Sequence, residues 1–249
     1  MPATRLLVEQ AEVRPDGGVA SSTVTWIEIE TDPQRPHNCG RRPEGLRLGA
    51  ASSSPDADDV GWQLAAMAEL EAASVPAFER LARELRWHGA PPILVRRARA
   101  AMRDELRHAQ VIRELAISHG CTPRSVAVPV LPCRALASIA HENAIEGCVR
   151  EAYGALVATY QAERAAPALR AMFRRIAADE RRHAALAEDV HAWIMSLATI
   201  DGATRVRIAS ARDQATVDLC ARLARAPACA PLGIPGGAQA VALAAAYFG

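Results

Sequence analysis

Asp104-Glu105-Leu106-Arg107-His108 is repeated further along the chain as Asp179-Glu180-Arg181-Arg182-His183, so the sequence carries D-E-x-R-H twice. Both copies lie in long stretches of helical periodicity. On a helix, a Glu and a His three positions apart project to the same side, so each copy offers one carboxylate and one imidazole to a common point. Chance does not account for the pair, because this composition would produce the full pentapeptide on the order of 0.003 times per chain. The shorter E-x-x-H is much less specific, with about 0.5 occurrences expected, and it appears a third time at Glu188 and His191. That copy lacks the Asp and the Arg and lies about 80° around the helix from Glu180, so it reads as a solvated surface pair. Two full copies imply two metal ions.

Working outward, four helical segments are expected. The first is capped by Asp58 or Asp59 and runs to about His88, where Gly89-Ala90-Pro91-Pro92 breaks it; the second runs on to about Gly120. The third begins near Cys133 or Arg134, and the fourth opens at Pro167 and reaches about Leu197. The turns inside the two hairpins are short. Residues 120 to 133 hold three prolines and no helical period; extended, they reach about 45 Å, the length of a helix of about 30 residues. Two short-turn hairpins joined by one long crossover describe an antiparallel four-helix bundle.

The stripes place acids among core residues. Glu71 falls in line with Leu64, Met67, Ser74, Phe78, Leu81 and Leu85; Glu105 and His108 fall in line with Leu94, Ala98, Ala101, Ile112 and Leu115. On the third helix the stripe is Ile139, Glu142, Glu146, Val149, Tyr153, Leu156 and Tyr160, and on the fourth Glu180 and His183 join Leu169, Phe173, Ile176, Ala187, Val190 and Ile194. In an antiparallel hairpin, residues equidistant from the turn lie level. Glu71 and Glu105 are centred on position 88, and Glu146 and Glu180, with the same separation of 34, are centred on position 163 near the second turn. Glu146 is therefore the expected acid of the third helix. Glu151 is a poorer choice, about 140° around the helix at about 100° per residue, and Glu142 lies one turn off level. Pro76 lacks the N–H that would bond to Ala72, so the first helix bends there, or else starts at Ser74 and leaves Glu71 in a loop.

The set Glu71, Glu105-x-x-His108, Glu146, Glu180-x-x-His183 resembles the ligand set of the ferritin-like di-iron carboxylate proteins, between about Asp59 and Leu197. The doubled motif is most similar to their oxygen-activating branch, which includes bacterial multicomponent monooxygenases, acyl-carrier-protein desaturases and the ribonucleotide reductase small subunit. Gly40-Arg41-Arg42-Pro43-Glu44-Gly45-Leu46 and Leu70-Glu71-Ala72-Ala73-Ser74-Val75-Pro76-Ala77-Phe78 resemble uncharacterised bacterial ferritin-like-domain proteins. The resemblance implies an all-α, ferritin-like four-helix bundle holding two iron ions, a manganese–iron pair or other transition metals. It also implies that Asp104 and Asp179 each accept the outer N–H of the opposite hairpin's histidine, with Arg107 and Arg182 paired to those Asp residues. O2 or peroxide, a small organic substrate and a reductase are the partners expected, with a homodimer as one assembly. The function that follows is a di-iron oxidase or oxygenase; iron oxidation with storage, and a non-catalytic metal-bound bundle, are the alternatives.

The remaining sequence sets bounds. The chain has 249 residues, half of them apolar, enough for one sizeable core with appendages. Every one of its 29 basic residues is Arg, which excludes a Walker A lysine, a Schiff-base lysine and a pyridoxal site. The net charge of +1 gives no warrant for nucleic acid or an acidic membrane surface. The start lacks the apolar stretch of a signal peptide and no run approaches a membrane span, so a cytoplasmic location is expected. Six cysteines without a C-x-x-C pair argue against a zinc ribbon and for reduced thiols. Residues 1–55 read as a β-hairpin, with alternation in Thr23-Val24-Thr25-Trp26-Ile27-Glu28-Ile29-Glu30, followed by a loop in which His37 and Cys39 are surface residues rather than ligands. Residues 56–199 form the bundle, and 200–249 a helical extension with helices from about Asp201 to Arg225 and Gln239 to Phe248. His88, His119 and His141 read as capping or surface residues. Tyr153 and Tyr160 read as inward core residues, with redox activity as the alternative.

Overall fold

A computed structural model describes residues 4–13, 19–29, 41–49 and 60–249. The expected loop residues His37, Cys39 and Gly40, and the expected caps Asp58 and Asp59, lie outside them. The chain divides into two units, Met1–Arg35 and Pro36–Gly249. The first contains the expected hairpin: strand β1 (Thr4–Val13) pairs antiparallel with β2 (Val19–Ile29) from Thr4 opposite Ile29 to Val13 opposite Val19, with a register irregularity at Glu12 and Val13.

The second unit is mostly helical. Helix α1 (Val60–Trp87) runs unbroken through Pro76, so Glu71 is helical and the alternative start at Ser74 does not hold. Beside the proline, the Ser74 hydroxyl donates to the Leu70 carbonyl at 3.1 Å. Gly89, at φ +71°, turns the chain into α2 (Pro92–Ser118), whose first position is a proline that needs no helical N–H partner. The crossover then travels back along α1. Arg124 donates to Glu69 through its backbone N–H and its guanidinium at 2.6–2.9 Å, and short strand β3 (Arg47–Leu48) pairs with β4 (Val126–Ala127). At its far end Arg134 grips the fully buried Glu84 through Nε and Nη2, both at 2.8 Å, and pairs also with Glu142.

The third rod is composite: α3 (Leu136–Glu142), a π-helical stretch (Asn143–Glu151) and α4 (Ala152–Arg164). After a short turn α5 (Pro167–Ser196) returns antiparallel beside it. Helix α6 (Gly202–Leu223) is capped by Asp201, which accepts from the Thr204 N–H at 2.6 Å, and α7 (Gly237–Phe248) follows. Two apolar clusters fill the space between the long helices. One, around Phe78, Leu85, Leu94, Ala98, Ile139, Val190 and Ile194, lies toward the α1–α2 turn; the other, around Leu64, Met67, Ile112, Phe173 and Ile176, lies toward the opposite end. A third cluster joins Val149, Tyr153 and Val157 to Leu219, Leu223, Ala240 and Ala244 of α6 and α7. The third rod is thus buried on two sides. Among the described residues no helix is long and apolar enough to cross a membrane.

Candidate metal centre

Between the first two apolar clusters lies a polar layer. Glu71 of α1, Glu105 and His108 of α2, and Glu180 of α5 bring one ligand atom each within 4.8 Å of one another; so do Glu105, Glu151, Glu180 and His183. The two groups share Glu105 and Glu180. All six residues are buried, none above 4% exposed. Both oxygens of Glu105, Glu151 and Glu180, Oε2 of Glu71 and Nδ1 of both imidazoles lack a hydrogen-bond partner within the protein. Buried polar atoms are almost always satisfied, so a convergent set of acceptors with nothing to accept from is a donor set suited to a cation. Carboxylate oxygen and imidazole nitrogen are the ligands expected of iron, manganese or zinc.

Each imidazole is held from behind. His108 Nε2 lies 3.0 Å from Asp179 Oδ2, and His183 Nε2 lies 3.3 Å from Asp104 Oδ2, so the α2 histidine rests on the α5 acid and the α5 histidine on the α2 acid. Arg107 pairs with Asp104 and reaches Asp179 at 3.7 Å; Arg182 pairs with Asp179 at 2.5 Å and reaches Asp104 at 3.3 Å. With Nε2–H donated outward, Nδ1 faces the carboxylates: Glu71 and Glu180 lie 3.4 Å from that of His108, and Glu105 3.0 Å from that of His183.

Crowding of buried acids and imidazoles shifts the titration of nearly every group in the layer. Burial alone would lower His108, but the Glu180 and Glu71 carboxylates outweigh it and raise it to about 11. Burial likewise opposes the charge on His183, which Glu180, Asp104 and Glu105 hold well above the ordinary range. Burial, with repulsion from Glu71 and Glu180, pushes Glu105 well up. Burial carries Glu151 to about 8; Arg41 pulls the other way from 3.6 Å without prevailing. Glu180 drops to about 2, because the two histidines overcome its burial. For Asp104 too burial is overcome, by the hydrogen bond from His183 and by Arg107, and it is held well below the usual carboxylate range. Protons and carboxylates share a charge that a metal pair would neutralise directly.

Of the six expected ligands, Glu71, Glu105, His108, Glu180 and His183 come together and Glu146 does not. Glu146 accepts from the Arg42 N–H at 3.1 Å and pairs with Arg150, while Glu151 takes the central position. Two physical causes displace the expectation. A π-helix closes i→i+5 bonds, so a constant 100° per residue does not hold from Asn143 to Glu151. The large residues Val149, Tyr153 and Val157 also face α6 and α7, so the most apolar stripe marks the side away from the centre. Gly147, one turn before Glu151, marks the inner side: a Cβ there would meet Ala187 Cβ at 2.7 Å and Arg41 Nη2 at 3.0 Å. Glu142 is bound by Arg134, and Tyr153 lies in the outer cluster, not on the inward face. Glu188 pairs with Arg212 of α6, so it ties two helices and is not half of a solvated pair with His191. Sequence reasoning set Glu151 aside and did not find Arg41; the glycine at 147, one turn before Glu151, is a sequence signal that could have found the first. Comparison of the chain with protein-family models, curated proteins and solved structures gives no match.

Proposed function

We propose that the chain is a ferritin-like four-helix bundle that binds two transition-metal ions, iron in the cell, and is an oxidoreductase acting with O2 or peroxide on an organic substrate. The observation that carries this reading is the pair of fused ligand groups with each histidine backed by the aspartate of the other D-E-x-R-H copy. Glu71, Glu105, His108 and Glu180 would hold one ion and Glu105, Glu151, Glu180 and His183 the other. Four carboxylates balance two divalent ions, leaving the layer neutral within an apolar core. When bound, such a pair supplies electrons to O2 or peroxide. Asp104 and Asp179 fix the histidine tautomers, aim Nδ1 inward and raise its basicity. The apolar clusters on either side keep bulk water away from the layer.

The test is to add Fe(II) in air to the metal-free protein and measure soluble iron retained per chain. Retention near two, with a finite O2 uptake, supports the reading. Retention of tens of irons per chain in a large discrete assembly makes the protein an iron store instead, and no retention removes the iron centre.

A further inference from the structure

A further polar group, Arg41, borders the centre from outside the four long helices. Arg41 belongs to the segment of residues 41–49, which is pinned by three contacts: the Arg41 N–H donates to Ser74 Oγ at 2.6 Å, the Arg42 N–H to Glu146 at 3.1 Å, and Glu44 pairs with Arg80 at 3.4 Å. The Arg41 side chain is 2% exposed, and its guanidinium carbon sits 4.6 Å from the centroid of the Phe78 ring, itself 5.2 Å from the His183 ring. Nε lies 3.6 Å from Glu151 Oε1, and neither Nε nor Nη2 has a hydrogen-bond partner.

Nε–H and Nη2–H form one edge of the guanidinium, spaced to meet the two oxygens of a carboxylate. Stacking on Phe78 holds the plane of that edge. Of the nearby acids, Glu146 pairs with Arg150, and Glu142, Glu84 and Glu44 share Arg134 and Arg80. Among the described residues Glu151 is the one acid within ion-pair distance of Arg41, and it belongs to the ligand set. Once two divalent ions engage the four Glu, the Nε–Nη2 edge of Arg41 has no acceptor of its own, and buried N–H donors without acceptors are strongly disfavoured.

We propose that the Nε–Nη2 edge of Arg41 is an anion subsite of the centre and that it takes a carboxylate monoanion, so that the ligand of this protein is an organic acid. The inference rests on the metal-binding reading above. The carboxylate supplies the two acceptor oxygens that this edge lacks, and it meets two N–H donors already oriented by Phe78 and by the anchored segment.

The test uses the full chain loaded with Mn(II) without oxygen, its metal content measured first. Metal is then withdrawn by a competing chelator in sodium chloride and, at equal ionic strength, in sodium formate or sodium butyrate. A ligand that binds only the loaded state tightens metal retention by mass action. Formate should shift the chelator midpoint by at least about tenfold toward retention in the wild type, with no shift in Arg41→Gln and a severalfold smaller one in Arg41→Lys, which keeps the charge but loses the edge. An equal effect of butyrate identifies the carboxylate end of a longer acid; an effect of formate alone identifies a small free anion. No shift in fully loaded wild type overturns the subsite while leaving the metal centre intact, whether or not the variants fold. An equal shift in wild type and Arg41→Gln overturns it as well, because the anion then binds without Arg41. Wild type that takes up no Mn(II) overturns the metal centre and the subsite together.

Discussion

Replacing Glu151 by Gln removes one ligand and one negative charge from the group Glu105, Glu151, Glu180 and His183 and leaves Glu71, Glu105, His108 and Glu180 whole. Loss of an outer partner of a metal ligand costs about 10- to 100-fold in affinity, so loss of the ligand itself should cost at least about 100-fold, or about 2.7 kcal/mol, at one of the two positions. The fold should tolerate the change. With its carboxyl raised to about 8, Glu151 is largely protonated in the metal-free protein near neutral pH, and an amide matches it in shape and charge. Glu146→Gln is the internal control, since Glu146 meets the Arg42 N–H and Arg150 and neither ligand group. Competitive chelator titration with Mn(II) under argon reads both variants. Glu151→Gln should keep one tight ion and release the other at least about 100-fold more readily, whereas Glu146→Gln should hold two as the wild type does. If Glu146→Gln loses metal and Glu151→Gln does not, the inner face of the third rod has been assigned wrongly.

Other outcomes follow from the same contacts. Asp179→Asn should weaken metal at the His108 side and Asp104→Asn at the His183 side, each by about 10- to 100-fold, because each replaces the carboxylate behind one imidazole by a neutral amide; equal affinity in either variant would sever that link. The metal-free protein should lose stability with alkali. His108, raised from 6.5 to about 11, contributes stability present below 6.5 and lost as pH rises through about 11, and Glu151, raised from 4.5 to about 8, contributes in the same sense up to about 8. Glu180, lowered from 4.5 to about 2, acts at the acid end, its contribution vanishing as pH falls through about 2. Thermal unfolding midpoints should therefore fall between neutral and alkaline pH without metal and fall less with it, while metal binding should release protons and tighten as pH rises; a flat or rising midpoint would contradict the charge pattern. Arg134→Ala leaves the buried Glu84 with Arg80 alone, at 3.3 Å, and the half-buried Glu142 without its arginine, and should cost about 3 kcal/mol in urea unfolding, where a change below about 1 kcal/mol would show the network to be dispensable.

The α2 and α5 parts of this architecture were legible in the sequence because those helices bury a single face, and Glu71 of the more fully buried α1 was found by its level with Glu105. There apolar periodicity, hairpin level and the doubled motif all select Glu71, Glu105, His108, Glu180 and His183. The third rod defeated the same reasoning because it is covered on both sides, so its larger residues, Val149, Tyr153 and Val157, mark contact with α6 and α7 and not with the centre. Its π-helical stretch also breaks the constant rotation on which the choice between Glu146 and Glu151 rested. Arg41 was illegible for another reason. It arrives from a segment without helical or strand periodicity and is fixed by tertiary contacts to Ser74 and Phe78, more than thirty positions away, which no local pattern encodes.

The central claim, two metal ions held by these six side chains, is tested most directly by an anomalous-difference map from crystals of the protein soaked with Mn(II). Two peaks should appear, one among Glu71, Glu105, His108 and Glu180 and the other among Glu105, Glu151, Glu180 and His183, with none at Glu146. A single peak, or peaks only at surface acids, with the Nδ1 atoms of His108 and His183 left unligated, would contradict the account.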